Sequence, residues 1–221
     1  METRDLPNEP FAAGNGPRFL DRTLDGLRRA PARVTHFVFA YWAWSLAALC
    51  AIVASVIAAP GASGVLGSGL AIVMILIAAI DARSFVIPNK LVLAGLTLGL
   101  VDAALARPGQ FAANLVTAAL RGLLIALLFL GFRFAYRYIR GREGLGLGDV
   151  KLAAVAGVWL GWMAAAFAVD IAALSALAAV LIGALRGHKI AGTTRVPFGL
   201  FFAPAIWAAW LIEAMLFRGT A

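Results

Sequence analysis

The chain has 221 residues, of which 62% are hydrophobic and 14% charged, a balance that excludes an ordinary soluble domain and points to a bilayer. Its net charge of +8 would suit a nucleic-acid partner, but the basic residues stand in short clusters between long apolar runs, which is the pattern of membrane orientation, so no nucleic acid is expected. The single cysteine, Cys50, excludes a disulfide framework and paired zinc half-sites; with His36 and His188 isolated at expected membrane boundaries, neither a metal nor any other cofactor is expected.

Residues 1–35 form the soluble-looking part, opening on a Pro/Gly/Asn-containing stretch expected to be disordered. From Arg18 to Arg29, Leu20, Leu24 and Leu27 recur at helical spacing among arginines until Pro31 stops the pattern. This predicts a short basic helix lying on the anionic cytoplasmic leaflet. A cleaved signal peptide fits poorly, because the charged region is too long and no small-residue cleavage site closes a short apolar core. Apolar segments follow at 36–58, 62–80, 90–106, 112–132, 163–185 and 197–217, with a shorter one at 149–162. Placing the N-terminus inside puts 16 lysines and arginines on the cytoplasmic side and two, Arg107 and Arg218, outside, with Arg121 within a span. The expected architecture is therefore all-α: a polytopic membrane protein of about seven transmembrane segments, its cytoplasmic tail at 1–35 and its transmembrane domain at 36–221.

Two charges inside the spans, Asp102 and Arg121, come to matched depth on the third and fourth segments. A short loop makes those segments antiparallel neighbours, so an ion pair between the two is expected, with separate snorkelling to the outer surface as the alternative.

The stretch with the most chemistry is Glu143-Gly-Leu-Gly-Leu-Gly-Asp149-Val-Lys151-Leu, a carboxylate set among glycines at the mouth of a hydrophobic segment. A carboxylate at membrane depth is costly unless protonated, paired or hydrated, and so marks a functional site. The plainer reading is a glycine loop into a helix that Asp149 caps. The run lacks the Gly-Lys-Ser/Thr ending of a phosphate loop, and no strand precedes it as a dinucleotide fingerprint requires. The segment from Asp149 to Trp162 is only about 20 Å long as a helix. If Trp159 and Trp162 anchor it at the outer interface, Asp149 lies inside the bilayer and its glycines must line a protein-walled or wet cavity. Asp81 ends the second segment in Asp81-Ala-Arg83-Ser-Phe-Val-Ile87-Pro88-Asn89, where Pro88 is expected to break the helix; alone, it could be a helix-end residue paired with Arg83. Both carboxylates come to the cytoplasmic face. Two carboxylates in one partly dehydrated site cannot both ionise easily, which suits acid-base chemistry of the aspartic-protease kind. An ion- or proton-coupled transporter is the rival, since intramembrane carboxylates also mark ion paths, but no convincing internal repeat is present.

Asp81 with Ile87-Pro88-Asn89, the run from Glu143 to Leu152, Gly157-Val-Trp159-Leu-Gly161-Trp162 and Pro197-Phe198-Gly199 together closely resemble the type IV prepilin peptidases, membrane aspartic proteases of the GxGD class. The resemblance covers about residues 62–205. It implies that Asp81 and Asp149 are the catalytic pair. Gly146 and Gly148 carry no side chain and are expected to let the extended substrate backbone approach closely; Lys151 is expected either to act at the substrate site, biasing the proton distribution of the pair, or to contact lipid headgroups. The resemblance also implies an inner-membrane location and pilin-like precursors as partners, their basic leader cut at the cytoplasmic face. Many relatives carry an N-terminal cytosolic insertion with cysteine pairs, associated with N-methylation; without it, this chain resembles the short, peptidase-only form found with Flp/Tad-type pili. The family usually continues Pro-Phe-Gly with proline, where this chain has Leu200, a change expected to relax the start of the last helix without touching the carboxylates.

Overall fold

A computed structural model describes residues 42–107, 109–141, 144–187 and 197–217. The chain divides into two units, 1–45 and 46–221, and the contacts below all lie within the second. The tail at 1–35, His36, His188 and Glu143 fall outside the described residues.

The described residues form seven helices: α1 (Trp42–Ala58), then α2 (Ala62–Ser84), α3 (Asn89–Leu105), α4 (Phe111–Arg140), α5 (Leu147–Trp159), α6 (Trp162–Leu185) and α7 (Phe198–Phe217). Each overlaps an expected segment, with α4 running eight residues past the expected end at 132. Four of them, α2, α4, α6 and α7, are long and apolar enough to cross a membrane, and the outer faces of α4 and α6 expose Leu120, Leu124, Leu174 and Leu177 as lipid-facing helices do. The fold is all-helical and that of a multi-pass membrane protein.

The short helix α5 is the centre of the bundle. It packs chiefly against α4 and α3, with α7 beside it, and Leu152, Ala153 and Val155 are fully buried. Small residues make this approach possible. A Cβ at Gly157 would stand 2.7 Å from the Cα of Gly122 on α4, and one at Gly99 on α3 would stand 2.6 Å from Trp159 Nε1, so both faces of α5 meet their neighbours at glycine. Trp159 does not anchor at an interface as expected: it is buried, donates Nε1–H to Gly95 O at 2.8 Å and sets its ring edge-on to Trp210. Trp162 is the exposed one of the two.

Between α5 and α6 the helical ladder breaks in a particular way. Leu160 N still bonds Ala156 O, but Gly161 N–H turns instead to the carboxylate of Glu213 on α7, at 3.2 Å. The carbonyl of Gly157, one helical step back from Gly161, is taken by Arg121 Nε at 2.6 Å, and Val158 O by Arg121 Nη2 at 3.1 Å. One side chain thus replaces the missing acceptor and another the missing donor, and the two charges attract each other across the break. This overturns the expected Asp102–Arg121 pair. Helices α3 and α4 do pack together, but the carbonyls left unsatisfied where α5 stops claim the guanidinium, while Asp102 accepts a hydrogen bond from Ser63 Oγ at 2.5 Å.

Candidate active site

Asp81 stands in the last turn of α2. The helix ends at Ser84, before Pro88 is reached: Phe85 adopts a left-handed conformation, φ 54°, and returns its N–H to Asp81 O. Pro88 then serves as the N-cap of α3, so its role is to start the next helix rather than to break this one. Between the two lie Val86, exposed, and Ile87, buried. The Asp81 carboxylate does not turn to Arg83. Its Oδ2 accepts the N–H of Leu200, at 3.0 Å, one of the free first-turn donors of α7. A Cβ at Gly199 would lie 2.8 Å from the same oxygen, so the glycine is what lets the start of α7 come this close.

Asp149 stands in the first turn of α5, three residues beyond the N-cap Gly146. Its Oδ2 accepts the Gly146 N–H at 3.1 Å, half of a capping box; the capping reading is therefore right in part, with Gly146 rather than Asp149 at the cap position. One oxygen suffices for this bond. The loop in front is fixed from α4, where the guanidinium of Arg133 donates to Leu145 O and the ring of Tyr136 covers Gly144.

The structure brings the two carboxylates together although 68 residues separate them in the chain. Asp81 is 5% and Asp149 9% exposed, and the charge of Asp81 reaches Asp149. Ile87 packs beside the backbone that carries each partner: a Cβ at Gly148 would meet its side chain at 3.1 Å, and one at Gly199 would meet its Cδ1 at 3.0 Å. The space beside Gly148 is thus filled by Ile87 and does not form an open channel, while Gly146 borders the Asp149 carboxylate itself. Lys151 is exposed and donates Nζ–H to Asn89 Oδ1 at 2.8 Å, joining α5 to the start of α3. Among the described residues no group of three or more His, Cys, Asp or Glu gathers as a metal-ligand set.

Three contributors escaped the sequence reading. Leu200 was expected to leave the carboxylates untouched, yet it supplies an N–H to Asp81 that proline would lack. Ile87 appeared only as part of a motif. Arg133 counted as a cytoplasmic charge, although Ala118, Gly122, Ile125, Phe129 and Arg133 form one buried stripe on α4, a helical spacing that was visible in the sequence.

Two acidic side chains, delivered by the end of one helix and the glycine-led start of another, define a paired-carboxylate site within a helical membrane bundle. Residues 68–187, more than half of the chain, match the type IV leader peptidase family, and the chain belongs to that family. It is similar to the prepilin leader peptidase/N-methyltransferase of Burkholderia pseudomallei strain 1026b, at 35% identity over 149 residues, 65% of this chain and 45% of that protein. The proteins of the same name from Dickeya chrysanthemi (36% over 135 residues, 59% and 44%) and Aeromonas hydrophila (31% over 172 residues, 75% and 56%) are similar as well. The chain spans about half the length of these relatives. No solved structure matches it with comparable significance.

Proposed function

We propose that this chain is an aspartic endopeptidase that removes the basic leader of pilin-like precursors at the cytoplasmic face of the inner membrane, with Asp81 and Asp149 as the catalytic pair. The observation that carries the reading is the meeting of these two buried carboxylates at the end of a bundle whose family is one of leader peptidases. In the proposed reaction a water held between them is deprotonated by one carboxylate as it attacks the scissile carbonyl, while the protonated partner donates to the carbonyl oxygen. Collapse of the tetrahedral intermediate returns a proton to the leaving amine, and no covalent enzyme intermediate forms. The two groups titrate as a unit, sharing one proton. Gly146, whose N–H already marks one edge of the site, leaves the approach to Asp149 free of a side chain, and exposed Lys151, two residues beyond Asp149 on α5, is a contact for the incoming leader within this proposal.

Within this proposal the substrate is of the Flp/Tad pilin kind and the reaction is cleavage alone, without N-methylation of the new terminus. Both parts are tested in membranes containing this chain and a co-expressed pilin precursor. The wild type is expected to release the leader and leave the mature terminus unmethylated by mass spectrometry. Asp81→Asn and Asp149→Asn are each expected to abolish cleavage with the protein still folded in the membrane. Wild-type cleavage by either variant would remove that residue from the pair.

A further inference from the structure

Helix α4 meets α5 along one face and holds its backbone at both ends. Gly122 on the buried face of α4 is where Gly157 packs, and Arg121 beside it takes the Gly157 carbonyl. Three turns further along the same buried face stands Arg133, whose guanidinium takes the carbonyl of Leu145, just ahead of the N-cap of α5. Arg133 is not an interfacial charge of the ordinary kind. It is buried, whereas Arg137 and Arg140, one and two turns on, stay exposed. Withdrawing a guanidinium from water is costly unless hydrogen bonds offset it, so its position reflects what it holds.

It holds one end of a peptide unit whose other end touches Asp149. The Leu145 carbonyl and the Gly146 N–H belong to a single planar amide, and in a trans amide they point to opposite sides. The guanidinium binds the oxygen, and the N–H donates to Asp149 Oδ2 at 3.1 Å. Cation, amide and carboxylate therefore stand in series. A positive charge on the carbonyl polarises the amide and strengthens its N–H as a donor. The hold also answers a weakness of the loop. Gly144, Gly146 and Gly148 give this stretch wide backbone freedom, so an unheld Leu145–Gly146 amide is free to flip and take its N–H away from Asp149.

We propose that Arg133 is a positioning residue for Asp149, acting through the Leu145–Gly146 amide: it keeps that peptide from flipping, anchors one carboxylate oxygen and leaves the other to the site. This role rests on the proposed peptidase activity and adds to it a residue that does not touch the substrate.

The test measures kcat and KM for cleavage of a purified pilin precursor by the full chain in detergent, normalised to folded protein, with thermal melting followed in parallel. Arg133→Met cannot donate and is expected to lower kcat by about 30-fold or more, as misplacing a reacting group does, while KM stays within about threefold. Arg133→Lys restores a cationic donor and should bring kcat back to within about fivefold of wild type. Arg133→Gln, whose amide is uncharged, should cleave at least about threefold more slowly than Arg133→Lys even where the two melt together. Recovery of rate without recovery of stability is what a merely structural arginine would not give. Arg133→Met at wild-type kcat, or Arg133→Lys no faster than Arg133→Gln, overturns the proposal, and the second comparison keeps the test decisive if Arg133→Met does not fold. Asp149→Asn is measured alongside. If it cleaves like wild type, the catalytic pair falls and the role of Arg133 with it; an inactive Asp149→Asn beside fully active Arg133 variants refutes the role of Arg133 alone.

Discussion

Gly199→Ala separates the position of Asp81 from the stability of the fold. The added Cβ would stand 2.8 Å from Oδ2 and 3.0 Å from Cγ of Asp81, and 3.0 Å from Cδ1 of Ile87. An ordinary carbon–oxygen contact needs about 3.3 Å or more, so the carboxylate must retreat by roughly half an ångström. The atoms in the way are the ends of flexible side chains, which places the stability cost at about 1 kcal/mol, the low end of overpacking. The functional cost is larger. The retreat stretches the 3.0 Å bond from Leu200 N and moves Oδ2 relative to Asp149, and misplacement on this scale costs roughly 10- to 100-fold in rate. Leader cleavage would be timed on a co-expressed precursor, and melting followed on the purified chain in detergent. A fall in rate of that size with a nearly unchanged melting temperature is the expected result. Cleavage within about threefold of wild type at unchanged stability would refute the reasoning, because the site would then tolerate a displaced Asp81.

In a double-mutant cycle, Arg121→Met and Glu213→Gln should be strongly non-additive in thermal melting, each alone costing about 2–4 kcal/mol by stranding its partner and a backbone group, whereas Arg121→Met and Asp102→Asn should be close to additive. Gly157→Ala should fold poorly, at a cost of at least about 2–3 kcal/mol, because its Cβ meets the backbone Cα of Gly122 at 2.7 Å and backbone cannot yield as a side-chain tip can; circular dichroism and yield in detergent would show it. A chelator should leave cleavage unchanged, and inhibition reversed by added zinc would refute a metal-free aspartic mechanism.

The helices were legible because a run of about 20 apolar residues has few structures open to it in a bilayer; the two aspartates stood out as candidates because each breaks such a run beside glycines or a proline. What escaped was rotation about the helix axis. A helix that is apolar all round carries little information on which face meets which neighbour, so depth could be read for Asp102 and Arg121 but direction could not. They do line one cavity, yet Arg121 points at the end of α5. For the same reason Trp159 passed for an interfacial anchor when it is a core residue, and Glu213 on α7 gave no sign that it would receive Gly161. Leu200 is a different case. Its side chain does not make the contact with Asp81, its backbone N–H does, and every residue but proline carries one.

The charged stop at the end of α5 also sets a phase. Asp149 and Gly157 lie eight residues apart on one continuous helix, with Arg121 holding the Gly157 carbonyl and the catalytic carboxylate proposed at the other end. A helix turns about 100° and climbs about 1.5 Å per residue. A single residue inserted between the two would therefore swing Asp149 by more than a quarter of a circle away from Asp81, even with every apolar contact kept equally greasy. The spacing from clamp to carboxylate acts as an indexing gear: α5 can be repacked in composition, but not lengthened or shortened, without losing the alignment of the pair.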